Sequence, residues 1–214
     1  MQTISLKRQK EIMIKFHLQE RGIENKRVSQ AMMEVPRERF VPKRYKKFAY
    51  SDTALPIGYG QTISQPYTVA LSLQSLNPLE NDTVLDIGTG SGYQAALLSR
   101  LCKKVISIER IPELAKRARS TLKELKYGNV EVIVGNAVLG YPEGALYDRI
   151  VCAAATRDVS SQWKDQLKNG GCIVYPKDMG LYQKLVRVKK EGNSFTEEII
   201  GDDSFVFVPL VDMD

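Results

Sequence analysis

The spacing of apolar positions changes character along the chain, and each change marks an element. From Ser5 to Arg21, Leu6, Ile12, Ile14, Phe16 and Leu18 recur among charged residues, and Gly22 stands where a helix would end, so an amphipathic helix is expected. Asn25 is placed to cap a second helix through Met32 and Met33 that closes before Pro36, because a residue preceding proline is pushed out of the helical region. Val35–Pro42, punctuated by prolines and followed by Tyr45, Phe48 and Tyr50, reads as a connector that packs aromatics onto the domain. Leu55–Tyr67 is uncharged and carries two glycines and two prolines, which predicts an irregular polar loop ahead of a helix over Tyr67–Leu76.

Beyond residue 78 the pattern alternates. Short apolar runs occur at Val84–Ile87, Lys104–Glu109, Val130–Val134, Tyr147–Ala155 and Cys172–Pro176. Helical spacing occupies the stretch after Gly92, Pro112–Leu125 and a segment around Val159–Leu167, with a turn at Asn169–Gly171. Alternation at Lys184–Val188 and Phe205–Pro209, with a polar spacer between, predicts an antiparallel closing pair. These elements predict a Rossmann-like α/β domain spanning residues 1–214, made of an N-terminal helical addition with a polar loop (1–78) and an α/β core (79–214).

The chemistry concentrates where the first core strand ends, in Asp86-Ile87-Gly88-Thr89-Gly90-Ser91-Gly92. Three alternating glycines between a strand and a helix suit a turn against which a cofactor lies on bare backbone. The dinucleotide fingerprint requires G-x-G-x-x-G, but its third glycine falls on Tyr93, and no Gly-Lys-Ser/Thr follows to make a P-loop. Asp86 would oppose a pyrophosphate but suits a cationic group such as the amine of S-adenosylmethionine. Glu109, about twenty residues on at the next strand end, is placed to take both hydroxyls of a ribose. Asn136 continues the series of polar residues at one sheet edge, although a turn role after Gly135 accounts for it equally well. Ser64 likewise has two readings, a hydroxyl facing a ligand or the N-cap of the helix at Pro66, and spacing alone favours the cap.

Composition removes several alternatives. The 214 residues include 31 Lys+Arg against 25 Asp+Glu, but the basic residues are dispersed among acids, which favours a solvated surface over nucleic-acid binding. His17 is the only histidine and is read as a surface residue of the first helix. Cys102, Cys152 and Cys172 lie in or beside apolar runs without metal-ligand spacing, so buried free thiols and no metal are expected. Met1–Lys7 lacks an apolar signal core and no apolar run could span a bilayer, which together with the cysteines points to a cytoplasmic protein with no membrane partner.

Asp86–Gly92 is similar to the first motif of S-adenosylmethionine-dependent methyltransferases. Gly58-Tyr59-Gly60-Gln61-Thr62-Ile63-Ser64-Gln65-Pro66 resembles the signature of the protein-L-isoaspartate (D-aspartate) O-methyltransferase family, as do Val35–Pro42, Tyr147-Asp148 and Leu167–Gly171. The resemblance implies a seven-strand, mainly parallel sheet with the last strand antiparallel, and methyl transfer from S-adenosyl-L-methionine to the α-carboxylate of L-isoaspartyl residues in damaged proteins. It implies Ser64 as the active-site serine. It also places Asp86, Gly88, Thr89, Gly90 and Gly92 on the methionine part of the cofactor, Glu109 on its ribose and Asn136 with Ala137 on its adenine, with Gln61, Thr62 and Ile63 contributing from the loop. Two departures stand out: the family usually has Gly-Asp-Gly at Gly135-Asn136-Ala137, and Val-Gly where Lys177-Asp178 follow Pro176. Other readings of the same motifs are a methyltransferase for a small acid or RNA and a cofactor-binding module without transfer. The oligomeric expectation is a monomer.

Overall fold

The computed structural model describes residues 4–212, apart from the side chain of Asp202. Its centre is a seven-stranded sheet: β3 (Thr83–Ile87), β4 (Lys104–Glu109), β5 (Val130–Val134), β6 (Tyr147–Cys152), β7 (Leu167–Asp178), β8 (Gln183–Glu191) and β9 (Ser194–Phe205). In space they run β5-β4-β3-β6-β7-β8-β9, parallel from β5 to β7. β8 is antiparallel to β7, and β9 is antiparallel to β8. Parallel strands carry apolar residues on both sides because helices cover both faces. Val84, Val105, Val151 and Val174 point into one cluster, and Leu85, Ile106, Ile150 and Ile173 into the other.

The first cluster also takes in the N-terminal segment. Helix α1 (Leu6–Ile12) continues through a π-helical turn, Met13–Leu18, and a 3-10 turn, Gln19–Arg21, before Gly22 ends it at φ 88°. The π turn brings Met13, Ile14 and Leu18 onto one buried side, which a simple 3.6-residue period does not predict. α2 (Lys26–Glu34) starts where Asn25 Oδ1 accepts from the amides of Arg27 and Val28 and stops at extended Val35 before Pro36. α3 (Pro66–Leu76) is almost wholly buried between these helices and the sheet. α4 (Tyr93–Leu98) and α5 (Pro112–Glu124) cover the same face, while α6 (Ser161–Asp165) places buried Trp163 on the other.

Several expectations require correction. Leu55–Ile63 is regular: β1 (Leu55–Gly58) and β2 (Gln61–Ile63) form an antiparallel hairpin. Tyr59 and Gly60 turn it at φ 55° and 69°, positive angles at both central positions that match the twist of a tight hairpin. Asn169–Gly171 is absorbed into β7, and the preceding helix is only five residues long. The partner of β8 is Ser194–Phe205, the supposed polar spacer, and it leaves Phe205–Pro209 largely as a strap. An edge strand with both faces largely in water has no apolar alternation to reveal it, and its charges suit an exposed edge.

Gly92 shows why the end of the glycine turn favours glycine. It begins α4 at φ 86°, and a Cβ there would lie 3.2 Å from the Cβ of Ala118 and 3.4 Å from Leu122 Cδ1. Its role is to let the turn pack against α5. Gly92→Ala is expected to cost at least about 1–2 kcal/mol from the left-handed backbone alone. Chemical denaturation at neutral pH measures this, and an unchanged midpoint would contradict the packing account.

Candidate active site

A cavity of about 380 Å³ opens at the carboxyl ends of β3, β4 and β6. β3 lies between β4 and β6, the point where strand order reverses and where open α/β sheets collect ligands. Its floor includes Gly88 and Gly90 from the turn after β3, and Ala153 and Ala154 beyond β6. One wall comes from the hairpin and the start of α3, through Gln61, Thr62, Ser64, Gln65 and Thr68. The opposite wall is the strap from Ser204 to Val211, whose Phe205 and Phe207 are buried.

The glycine turn is closed on itself. The amides of Gly88 and Thr89 donate to Ile108 O at 2.9 and 3.1 Å, and that of Gly92 donates to Thr89 O at 2.8 Å. The amide of Gly90 donates to Glu109 Oε2 at 2.7 Å, while Glu109 Oε1 accepts from the amide of Ile111 at 3.0 Å. Amides that would cradle a phosphate are therefore already engaged, and a carboxylate stands at the turn. The donor set fits an adenosyl cofactor without phosphates: one buried carboxylate in the lining, bare backbone below it and an apolar strap above.

Asp86 does not reach this cavity. Its carboxylate is fully buried beneath the turn, accepting from Gln94 Nε2 at 2.8 Å and Ser107 Oγ at 2.7 Å, and the Ser107 hydroxyl lies 2.6 Å from that of Thr89. Burial pushes its pKa from 3.8 up to about 6; the bonds from Gln94 and Ser107 pull it down, and the charge of Glu109 adds to the rise. Thr89 is thus part of a buried hydroxyl chain, and Ile63 is a buried core residue. Asn136 caps a short 3-10 turn by accepting from the Val138 amide, and its Nδ2 donates to Asp212 Oδ1, so its side chain is committed to the loop and the strap. Ala137 lines the cavity and is held by the indole of Trp163, which donates to Ala137 O at 3.0 Å. The candidates brought together around the cavity are therefore Gln61, Thr62, Ser64, Gly88, Gly90, Glu109 and Ala137, whereas Ile63, Asp86, Thr89, Gly92 and Asn136 stand behind them.

Ser64 is not the cap of α3. That helix has Gln65 at its N-cap position with no side-chain bond, and Asp52 supplies the acceptor from outside. Asp52 Oδ1 accepts from the Tyr67 amide at 3.0 Å and Oδ2 from Gln65 Nε2 at 2.7 Å. The Ser64 hydroxyl, relieved of capping, lines the cavity without a hydrogen-bond partner among the described residues. Sequence reasoning missed Asp52 because its contacts span 13 to 15 positions and follow no capping spacing. It also missed Arg37, which is fully buried with Nε donating to Ala49 O at 2.7 Å and its guanidinium 5.0 Å from the Tyr93 ring. Burial lowers its pKa to about 10, against the raising influence of Tyr93, Tyr50 and Asp52. No spacing rule predicts a buried arginine inside a proline-punctuated connector.

The three cysteines are buried free thiols. Burial raises the thiols of Cys102 and Cys152 to about 12 and that of Cys172 above its usual value. No group of three or more His, Cys, Asp or Glu could hold a metal ion among the described residues. His17 lies in the π turn of the N-terminal segment and is not part of the cavity lining.

The environment of Asp86 has a measurable consequence. An acid whose pKa is raised by folding binds more protons folded than unfolded between about pH 4 and 6, so its contribution to stability declines as pH rises through that window. A rise from 3.8 to about 6 corresponds to an effect on the order of 2–3 kcal/mol. Asp86→Asn keeps an acceptor for Ser107 and removes the titration. The stability of the wild type relative to this variant should fall by that order between about pH 4 and 7 in urea titrations. A difference that does not vary with pH would refute the assignment.

The family model described as protein-L-isoaspartate (D-aspartate) O-methyltransferase matches residues 7–214. A protein-L-isoaspartate O-methyltransferase of Methanoculleus marisnigri is 47% identical over 206 residues, covering 96% of this chain and 92% of its own length. One from Dictyoglomus thermophilum is 46% identical over 189 residues, covering 88% and 86%. Among solved structures, a protein-L-isoaspartate O-methyltransferase of Plasmodium falciparum, described as putative and in complex with S-adenosyl-L-homocysteine, superposes with a TM-score of 0.79 at 26% identity, covering 96% of this chain and 97% of that one. The family match over nearly the whole chain and relatives 46–47% identical show that the chain belongs to the protein-L-isoaspartate (D-aspartate) O-methyltransferase family.

Proposed function

We propose that this chain transfers a methyl group from S-adenosyl-L-methionine to the α-carboxylate of L-isoaspartyl residues in damaged proteins and peptides, the first step of their repair, and that Ser64 orients the acceptor. The observation that carries the role of Ser64 is that it lines the cavity with no hydrogen-bond partner among the described residues, while Asp52 performs the capping that would otherwise explain the serine. When bound, the cofactor supplies an activated methyl group. The residues proposed to hold it are Glu109 at the ribose, Gly88 and Gly90 beneath it, Ala137 beside the adenine, and Gln61 and Thr62 from the hairpin. Asp86, Thr89 and Gly92 would act from behind by fixing the turn, Asn136 by fixing the loop that carries Ala137, and Ile63 by anchoring the hairpin.

The acceptor carboxylate is ionised at neutral pH, so the chain need not withdraw a proton from it. Its task is to align the acceptor and exclude water, a contribution that proximity alone can make large. This agrees with a cavity whose lining includes hydroxyls, amides and bare backbone and, among the described residues, no cysteine or histidine. We further infer one functional unit over residues 1–214, in which the addition over 1–78 supplies the acceptor wall. No helix is long and apolar enough to cross a membrane among the described residues. We place the chain in the cytoplasm as a monomer that acts on proteins rather than nucleic acid.

The decisive assay compares an isoaspartyl peptide with its normal aspartyl twin. Methylation of the first and not the second supports the reading; equal methylation, or preference for a small acid or RNA, overturns it. Because Ser64 caps nothing, Ser64→Ala should change stability by no more than about 0.5 kcal/mol. The same variant should lower kcat/KM for the isoaspartyl peptide by about ten- to a thousandfold while S-adenosylhomocysteine still binds. Wild-type turnover in this variant would remove Ser64 from the mechanism.

A further inference from the structure

The two walls of the cavity come from parts of the chain distant in sequence, and one side chain touches an anchor of each. Arg21 is the last residue of the N-terminal helical stretch, just before the left-handed turn at Gly22. Its guanidinium stacks on the ring of Tyr67, with Cζ 3.5 Å from the centroid. From that platform Nη1 reaches Asp52 Oδ2 at 2.7 Å, and Nη2 reaches Asp203 Oδ2 at 3.5 Å. Asp52 is the carboxylate that holds the Tyr67 amide and Gln65 beside Ser64. Asp203 immediately precedes the strap and also interacts with the Tyr67 hydroxyl, and further ties lie farther along: Ala155 N to Val208 O at 2.9 Å, Leu210 N to Ala155 O at 2.7 Å, and Phe207 N to Gln183 Oε1 at 2.6 Å.

We infer that Arg21 is a positioning residue that links the acceptor wall to the strap and sets how closely the cavity shuts around the cofactor. The inference rests on the cofactor reading above but assigns Arg21 no contact with ligand or acceptor. A planar fork stacked on an aromatic ring can hold two carboxylates in fixed directions, which a lysine cannot do. The side chains of Arg21 and Asp203 are 38% and 49% exposed, so salt should weaken that arm, whereas a purely packed contact would not respond in this way.

The test is calorimetric binding of S-adenosylhomocysteine to the full chain at low and high salt, beside kinetics with an isoaspartyl peptide. Wild-type binding and methylation are measured first, and they report on the cofactor reading whatever the variants do. Asp203→Asn keeps the shape and removes one arm of the clasp. It should weaken S-adenosylhomocysteine binding about two- to fivefold at low salt, the size of a partly exposed ion pair, with an unchanged melting temperature. High salt should bring the wild type toward the variant. Arg21→Lys should lie between the wild type and Arg21→Ala. Adding Asp203→Asn to Arg21→Ala should cost little more, since both remove the same link. The loss should appear mainly in the KM for the cofactor rather than in kcat. If Asp203→Asn binds S-adenosylhomocysteine as the wild type does at both salt concentrations, or if the two losses multiply, the clasp is refuted. Should Arg21→Ala fail to fold, Asp203→Asn and Arg21→Lys decide the matter alone.

Discussion

The floor of the cavity depends on the carboxylate of Glu109. It stands at the end of β4 and takes one amide from the glycine turn after β3 and another from the start of α5. Those bonds join two neighbouring strand ends and a helix N-terminus through one group. A carboxylate near a helix start is also favoured by the peptide dipoles there. Because Gly90 is held by Glu109, the turn keeps its amides directed inward and shows the cavity bare backbone. The same arrangement disfavours a pyrophosphate, which would have to displace the carboxylate and repel it. A single acidic residue thus fixes the turn that forms the floor of the cavity.

The wall opposite the strap depends on the N-terminal addition, which brings Asp52 to the start of α3. With α3 capped from a distance, the segment between β2 and α3 can place an uncommitted hydroxyl at the cavity. The buried Arg37 anchors the same connector by donating to Ala49 O and Thr53 O on either side of Asp52. Burial of that cation is compensated partly by carbonyls and partly by the Tyr93 ring on α4, which follows the glycine turn. The addition is thereby packed against the helix that begins at the cofactor turn, so displacement of one wall would strain the other.

The parts legible in the sequence were those with local signals. Continuous apolar runs marked β3 to β6, Asn25 and Pro36 bounded α2, and the spacing of three glycines with Glu109 identified the turn and its carboxylate. What escaped was set by distant contacts. The hairpin at Leu55–Ile63 was hidden by its prolines and glycines, although Tyr59-Gly60 supplies the positive angles that a tight turn needs. β9 lacked alternation because water covers much of both its faces. Asp86 illustrates a different limit: its place at a strand end was readable, but the direction of its side chain was decided by Ser107 on the neighbouring strand and Gln94 on the following helix. Ser64 was ambiguous for the same reason, since only the fold reveals that Asp52 already occupies the capping role.

The charges around the cavity follow from these placements. Its lining contains the carboxylates of Asp52 and Glu109 and the guanidinium of Arg110. Asp52 is paired with Arg21 and with α3, Glu109 is held by two backbone amides, and Asp86 is withdrawn beneath the turn. An approaching carboxylate would otherwise meet three anions within one small volume, a repulsion that grows as water is excluded. Directing each acidic group toward its own donors reduces that repulsion. The cavity can then remain polar while its acidic groups are held by their own donors, and its lining contains no cysteine or histidine among the described residues, which suits transfer to an already ionised oxygen.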